Sequence, residues 1–341
     1  MRTHEPVLAI EELRTVFHTD DGLVRAAEGV SYELYPGETL AVVGESGSGK
    51  SVTALSVLRL IAEPPGEIVS GRIIFDGMDL TALSEKQLRR IRGRRISMIF
   101  QEPMTSLNPV HMIGRQIMEP MLLHRICDRQ EARRRALELL RKVGIPAPEQ
   151  RMSEYPHQLS GGMRQRVMIA IALACEPDVL IADEPTSALD VTVQLQILRL
   201  LKDLQQQMGM AVILITHDLG VVAEVADRVA VMYAGRVVES GPVEELFYNS
   251  VHPYVEGLRA SIPDLEQEVA RLRVIQGQVP DAARLPPGCP FAPRCPYVMD
   301  RCVSEDPPTT TVAAGHHVRC WLNDPETVEA AGAAEARRSE T

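Results

Sequence analysis

The chain has 341 residues with a formal net charge of −10, and 45% of its residues are hydrophobic, enough for one large α/β domain plus a smaller appendage. The acidic balance excludes a general nucleic-acid binder, whose footprint is basic. No segment approaches the roughly 18 apolar residues that cross a bilayer, the longest run being Val167 to Cys175, and Glu5, Glu11 and Glu12 interrupt any N-terminal signal pattern, so the chain is expected in the cytosol with membrane association supplied by partners.

Taken in chain order, Val7 to Leu34 reads as a β-rich start with Asp20-Asp21-Gly22 as a hairpin turn. Pro36-Gly37 marks a second turn, and Thr39 to Val43 is an apolar run of strand length. It leads into Gly44-Glu45-Ser46-Gly47-Ser48-Gly49-Lys50-Ser51, which fits G-x-x-x-x-G-K-[ST] without a mismatch, followed by a predicted helix over Val52 to Ile61. Glycines let successive N–H groups curl around an oxyanion, and the helix start adds its dipole. Gly44, Ser46, Gly47, Ser48, Gly49 and Val52 are expected to cradle a triphosphate, with Lys50 reaching the β- and γ-phosphates and Ser51 ligating Mg²⁺.

Lys86 to Arg95 holds six Lys or Arg residues without interleaved aromatics and reads as a solvated helix face, with contact to a membrane partner or lipid head groups as the alternative. From Glu102 to about Ile171 the pattern is helical, including Arg129 to Val143, and this arm is expected to stand apart from the sheet. Within it, Leu159-Ser160-Gly161-Gly162-Met163-Arg164-Gln165 places Ser160 as N-cap of a helix running through Arg164 to Cys175, with two glycines in its exposed first turn. That helix start is a second anion-binding surface. Two half-sites in one chain imply a site shared between two chains.

Val179 to Glu184 is an apolar strand ending in two carboxylates, and Ala211 to Ile215 is another ending in Thr216-His217. In open α/β sheets ligands bind beyond the carboxyl ends of strands. Asp183 is thereby placed to hold Mg²⁺, Glu184 to polarise an attacking water as general base, and His217 to contact the γ-phosphate. Strands and helices alternate from Val179 to Leu246, the signature of a parallel, helix-flanked sheet; the Ala- and Glu-rich tail, residues 326–341, is expected to be disordered.

On these motifs, residues 6 to about 250 resemble the nucleotide-binding domain of an ABC ATPase. The expected fold class is α/β, a parallel-sheet core with a β-rich N-terminal part and a helical arm over about 102–172, followed by a small Cys-rich extension over 251–325. The resemblance implies further roles. Gln101, after Met98-Ile99-Phe100, is similar to the glutamine that touches Mg²⁺ and the attacking water. Ser187-Ala188-Leu189-Asp190 resembles the loop that crosses the dimer interface. Phe17 takes the place of the aromatic that stacks on adenine, with a core phenylalanine as the alternative reading. Ser160, Gly161, Gly162, Gln165 and Asp190 would then act on ATP held by an opposing chain.

His252-Pro253-Tyr254, Ser261-Ile262-Pro263, Gly288-Cys289-Pro290-Phe291-Ala292-Pro293-Arg294-Cys295-Pro296 and Met104-Thr105-Ser106-Leu107-Asn108-Pro109 look like peptide-importer ATPases, with Val255 where Thr is usual. That subfamily includes oligopeptide, dipeptide and nickel importers. The resemblance implies two transmembrane permeases, an extracytoplasmic binding protein, a dimer with itself or with a sister ATPase, and a place at the cytoplasmic face of the inner membrane. Rival classes lack their marks: there is no Asn-Lys-x-Asp run for a GTPase, and neither the long heptad insertion nor the second cassette of DNA-repair or translation relatives. Glu184 and His217 argue against a non-hydrolysing module.

Cys289, Cys295, Cys302 and Cys320 cluster with C-x₅-C-x₆-C-x₁₇-C spacing, while Cys127 and Cys175 are isolated. Disulfides are disfavoured in the cytosol, and structural zinc favours tighter pairs. Four thiolates in Pro-rich loops can cage an iron–sulfur cluster, and the resemblance implies [4Fe–4S]; zinc or no metal stay open, with His316 or His317 as a substitute ligand.

Overall fold

The computed structural model describes residues 5–101, 106–186, 190–261 and 275–325. Expectations for Ser187 to Leu189, Met104-Thr105, Ile262-Pro263 and the 326–341 tail lie outside the described residues. Strands β1 (Leu8–Thr19) and β2 (Gly22–Leu34) form the expected hairpin, β3 (Thr39–Val43) runs into helix α1 (Lys50–Val57), and β4 (Gly66–Phe75) and β5 (Met78–Asp79) complete an antiparallel sheet in the order β2-β1-β4-β5. Helix α2 (Glu85–Leu88) precedes β6 (Ile96–Ile99), and the helical stretch follows as α3 (Ile113–Leu123), α4 (Arg129–Lys142) and α5 (Gly161–Ala172). Next come β7 (Val179–Asp183), α6 (Val191–Met208), β8 (Ala211–Thr216), α7 (Leu219–Val225), β9 (Arg228–Tyr233), β10 (Arg236–Pro242), α8 (Pro253–Ala260), β11 (Thr309–Ala313) and β12 (His316–Arg319).

The second sheet has the order β11-β12-β10-β9-β3-β8-β7-β6, parallel from β9 through β6 and antiparallel beyond β9. Its central strands are apolar throughout because both faces are covered. Alternate residues feed different cores: Val179 and Ile181 of β7 and Ala211, Ile213 and Ile215 of β8 pack toward α1 and the antiparallel sheet, whereas Leu180, Ala182, Val212 and Leu214 face the helices. Each fully buried aliphatic side chain contributes about 1.5–3 kcal/mol. Helix α6 buries Ile197, Leu198, Leu201 and Leu204, a stripe at helical spacing, and ends on Gly209 at φ 67.

Two expectations change. The helical arm is not separate from the sheet, because Ile113, Ile117, Ala136 and Leu140 share one continuous apolar cluster with Leu180, Val212 and Leu214. The basic stretch is not a uniform solvated helix face: only Glu85–Leu88 is helical. Arg92 turns inward to donate to the Leu58 and Arg59 carbonyls at 2.6 and 2.9 Å. Arg95 pairs with Asp178 and Asp76 at 2.7 and 3.0 Å. The extension joins the main sheet, since β12 pairs with β10 and continues it.

Between Glu11 and Arg14 the β1–β4 register breaks into a bulge, and Gly71 of β4 passes it at φ +94. A Cβ there would lie 2.5 Å from Leu13 Cα and 2.6 Å from the Glu12 carbonyl oxygen. Gly71→Ala is therefore expected to destabilise the chain by about 2 kcal/mol, the usual cost of a strained backbone site. A lowered urea midpoint checks it, and an unchanged midpoint would show that the bulge relaxes freely.

Candidate functional site: the phosphate loop and its facing carboxylates

The parallel pairing sets the site. Val43 at the end of β3 lies opposite Thr216 of β8, and Ile215 lies opposite Asp183 of β7. Three strand ends therefore deliver the glycine loop, the two carboxylates and His217 to one edge. The loop needs glycine at two positions for lack of space. A Cβ on Gly44 would fall 2.1 Å from the Met232 carbonyl oxygen, and one on Gly49, at φ +96, 2.2 Å from that of Ala26. The curl seats its N–H donors above α1.

Lys50 is 6% exposed. Its ammonium donates to the Gly44 and Glu45 carbonyls at 2.8 and 2.9 Å and to Ser48 Oγ at 3.3 Å. Burial pushes its pKa down, opposed by Glu184, Asp183 and Glu45. Ser51 Oγ donates to Asp183 Oδ1 at 3.0 Å. Burial is the main cause that raises the Asp183 carboxyl, partly offset by that hydroxyl. Beside this pair, Gln101 Nε2 donates to Glu184 Oε2 at 2.9 Å, and His217 Nδ1 lies 3.4 Å from Glu184 Oε1. Glu184 itself stands at φ 42, in the left-handed region, with its N–H bonded to the Ile215 carbonyl at 3.0 Å. Such strain in a non-glycine residue persists only where neighbours hold it. Gln101, Lys50, Ser51, Asp183, Glu184 and His217, chosen from four separate segments, are thus brought into one group. Its oxygen donors at Ser51 and Asp183 suit a hard divalent cation.

The second half-site also forms as a helix start. Ser160 caps α5 by accepting the Met163 N–H at 3.3 Å, and Ser160 and Gly161 are exposed. Asp190 caps α6, accepting the Val193 N–H at 3.0 Å. Gln165 departs from expectation: it is 1% exposed, on the inward face of α5, and its Nε2 has no hydrogen-bond partner among the described residues. Helical geometry explains this, since Gln165 lies one turn beyond Gly161 and points with Met168 and Ile169 into the core. Phe17, near the end of β1, is half-buried, with Gly66 beside its ring.

The four cysteines of the extension draw together without forming a ligand set. Cys289 N–H donates to the Cys302 carbonyl at 2.8 Å, and both pack with Ala292, Met299 and Trp321. Among the described residues no group of three or more His, Cys, Asp or Glu could hold a metal ion. Burial pushes the Cys289 thiol up to about 11 and that of Cys320 up to about 12, and it raises Cys295 as well. His316 is committed elsewhere, its Nε2 lying 2.8 Å from buried Glu239, and His317 Nδ1 lies 3.0 Å from Thr311 Oγ1. As placed, these residues do not fit the expected [4Fe–4S] cluster, nor zinc, and that expectation is unsupported. Composition and spacing revealed the clustering along the chain but not whether the side chains meet as a ligand group.

Comparison with known proteins agrees with this geometry. The ABC transporter family profile matches residues 27–187, and that of the oligopeptide/dipeptide transporter C-terminal region matches residues 238–302. The chain is 53% identical over 323 residues to the oligopeptide transport ATP-binding protein AppD of Bacillus subtilis, covering 95% of this chain and 98% of that protein. It is 53% identical to the dipeptide transport ATP-binding protein DppD of the same organism, covering 94% of this chain and 96% of that one. Among solved structures, a dimeric ATP-binding cassette in a post-hydrolysis state with ADP and Pi superposes with a TM-score of 0.62 at 28% identity, covering 69% of this chain and 98% of that one. Another, cbiO1 of Clostridium perfringens, gives 0.61 at 32% identity over 72% and 92% of the two chains. With a phosphate loop, facing carboxylates and relatives aligned along nearly its whole length, the chain belongs to the ABC transporter family as one of its ATP-hydrolysing, ATP-binding subunits.

Proposed function

We propose that this subunit hydrolyses ATP to power the import of short peptides through two membrane permeases fed by an extracytoplasmic binding protein. The observation that carries the reading is the full-length similarity to peptide transport ATP-binding proteins, through both the ATPase region and the peptide-transporter C-terminal region. Nickel or another small solute is the competing cargo. Among the described residues no helix is long and apolar enough to cross a membrane, so docking on permeases, at the cytoplasmic face of the inner membrane, accounts for the coupling.

At the site, the N–H groups of Gly44 and of Ser46 through Ser51, with Val52 behind them, hold the phosphates, and Lys50 turns its ammonium from the loop carbonyls to the β- and γ-oxygens. Ser51, Asp183 and Gln101 hold Mg²⁺, which when bound neutralises phosphate charge. Glu184 takes a proton from the attacking water. Its bond to Gln101 and its closeness to His217 orient the carboxylate, and His217 contacts the γ-phosphate. Phe17 stacks on adenine. Two cassettes close head to tail, so that the exposed Ser160 and Gly161 and the half-buried Gly162 of one, with Asp190 nearby in the dimer interface, complete the site of the other. Gln165 takes no part because it is buried.

Glu184→Gln should keep ATP binding while hydrolysis falls on the order of 10²–10⁴-fold, the usual contribution of a positioned base. Single-turnover hydrolysis near the parental rate would remove Glu184 from that role. Lys50→Ala should weaken ATP binding by the isolated chain, whereas Ser160→Arg should spare it and block ATP-dependent dimer closure. Titration calorimetry with size-exclusion chromatography separates the two, and equal loss of affinity in both variants would count against the shared site. Purification of the tagged chain from native membranes should bring down two permeases and a peptide-binding protein, and uptake assays with labelled dipeptides against Ni²⁺ decide the cargo.

A further inference from the structure

The turn Ala292-Pro293-Arg294-Cys295 belongs to the C-terminal extension and enters none of the chemistry above, yet it reaches the phosphate loop. Arg294 Nη1 donates to both carboxylate oxygens of Glu45, at 3.0 and 3.1 Å. The Arg294 side chain is only 5% exposed. It is held by its own bonds, Nε to the Gln276 carbonyl at 3.0 Å and Nη1 to Tyr233 Oη at 3.3 Å. Its guanidinium lies over the rings of Tyr233 and Phe291, 5.7 and 6.0 Å from their centroids, and these two rings pack with Tyr254. Tyr254 of α8 adds a second tie, its hydroxyl accepting the Glu45 N–H at 3.0 Å. The Glu45 carbonyl meanwhile accepts from Lys50 Nζ at 2.9 Å. The residue is therefore pinned at its N–H, its carbonyl and its side chain.

A carboxylate at this point opposes the loop's task. Glu45 is the second residue of a curl shaped for a highly charged anion, and its field reaches Lys50. A like charge near bound phosphate weakens binding unless it is neutralised. We propose that Arg294 is a positioning residue for ATP: it neutralises Glu45 and fixes its carboxylate on the extension, so that the extension sets the phosphate affinity of the loop. This rests on reading residues 44–51 as the ATP site, and it adds a component from outside the ATPase region.

The test uses the full-length chain and its Arg294→Gln, Arg294→Ala, Glu45→Gln and Arg294→Ala/Glu45→Gln variants, each checked for fold by circular dichroism. Affinity is measured with Mg²⁺ and a non-hydrolysable ATP analogue, and turnover with ATP. Both Arg294 single variants should weaken binding and raise KM on the order of tenfold, with kcat changed by less than about twofold, as expected for an uncompensated charge near the phosphates. Glu45→Gln alone should bind at least as tightly as the parent, because it leaves the Arg294 charge near the phosphates. In the double variant the loss should be reversed, because the repelling charge is gone; a merely structural arginine would not be rescued in this way. Parental KM in a folded Arg294→Gln protein, or a double variant as weak as Arg294→Ala, overturns the proposal. If Arg294→Ala does not fold, Arg294→Gln with and without Glu45→Gln gives the same decision. A parental chain that binds no ATP overturns the phosphate-loop reading itself, whereas parental binding that ignores Arg294 overturns this inference alone.

Discussion

The parallel register of β3, β8 and β7 is the constraint on which the rest depends. It places Val43 opposite Thr216 and Ile215 opposite Asp183. A one-residue slip in any strand would exchange its two buried faces, moving residues such as Leu180 and Ala182 from the helix side to the α1 side. Burial on both faces makes that slip costly. The same alternation that fills two cores therefore also fixes where the strands end, and the ends carry the chemistry.

What gathers there is charge under strain. One buried ammonium, Lys50, faces Asp183 and Glu184 with Glu45 nearby, and burial works against the charged forms of both Lys50 and Asp183. Local bonds offset this cost: Ser51 donates to Asp183, Gln101 to Glu184, and loop carbonyls accept from Lys50. Glu184 is further confined by a left-handed backbone. Such a group is arranged before any ligand arrives, which spares reorganisation when charge develops.

The extension is bound into this arrangement. Its strand β12 continues the main sheet through Glu239 and Ser240 of β10, and buried Glu239 accepts the Val251 and His252 N–H groups at 3.0 Å each while lying against His316. Tyr254 and Phe291 close over Tyr233 of β9, the strand beside β3. The extension thus packs directly on the sheet that carries the phosphate loop, and Arg294 and Tyr254 both bond to Glu45 of that loop.

Local chemistry made much of this legible in the sequence. A glycine loop between an apolar strand and a helix, a serine before two glycines, and paired carboxylates after four apolar residues each encode a backbone shape through steric freedom or hydrogen bonding with near neighbours. The hairpin at Asp20-Asp21, the parallel core and the group around Glu184 follow from such signals. Contacts between residues distant in sequence were decided only by the tertiary structure. Gln165 matched a motif but lies on the buried face of its helix, the helical arm merges with the sheet core, and the four clustered cysteines form no ligand set among the described residues. Glu45 and Arg294, 249 residues apart, meet because sheet addition and aromatic packing bring the extension onto the loop. No local propensity records such a meeting, since it depends on how separate surfaces dock.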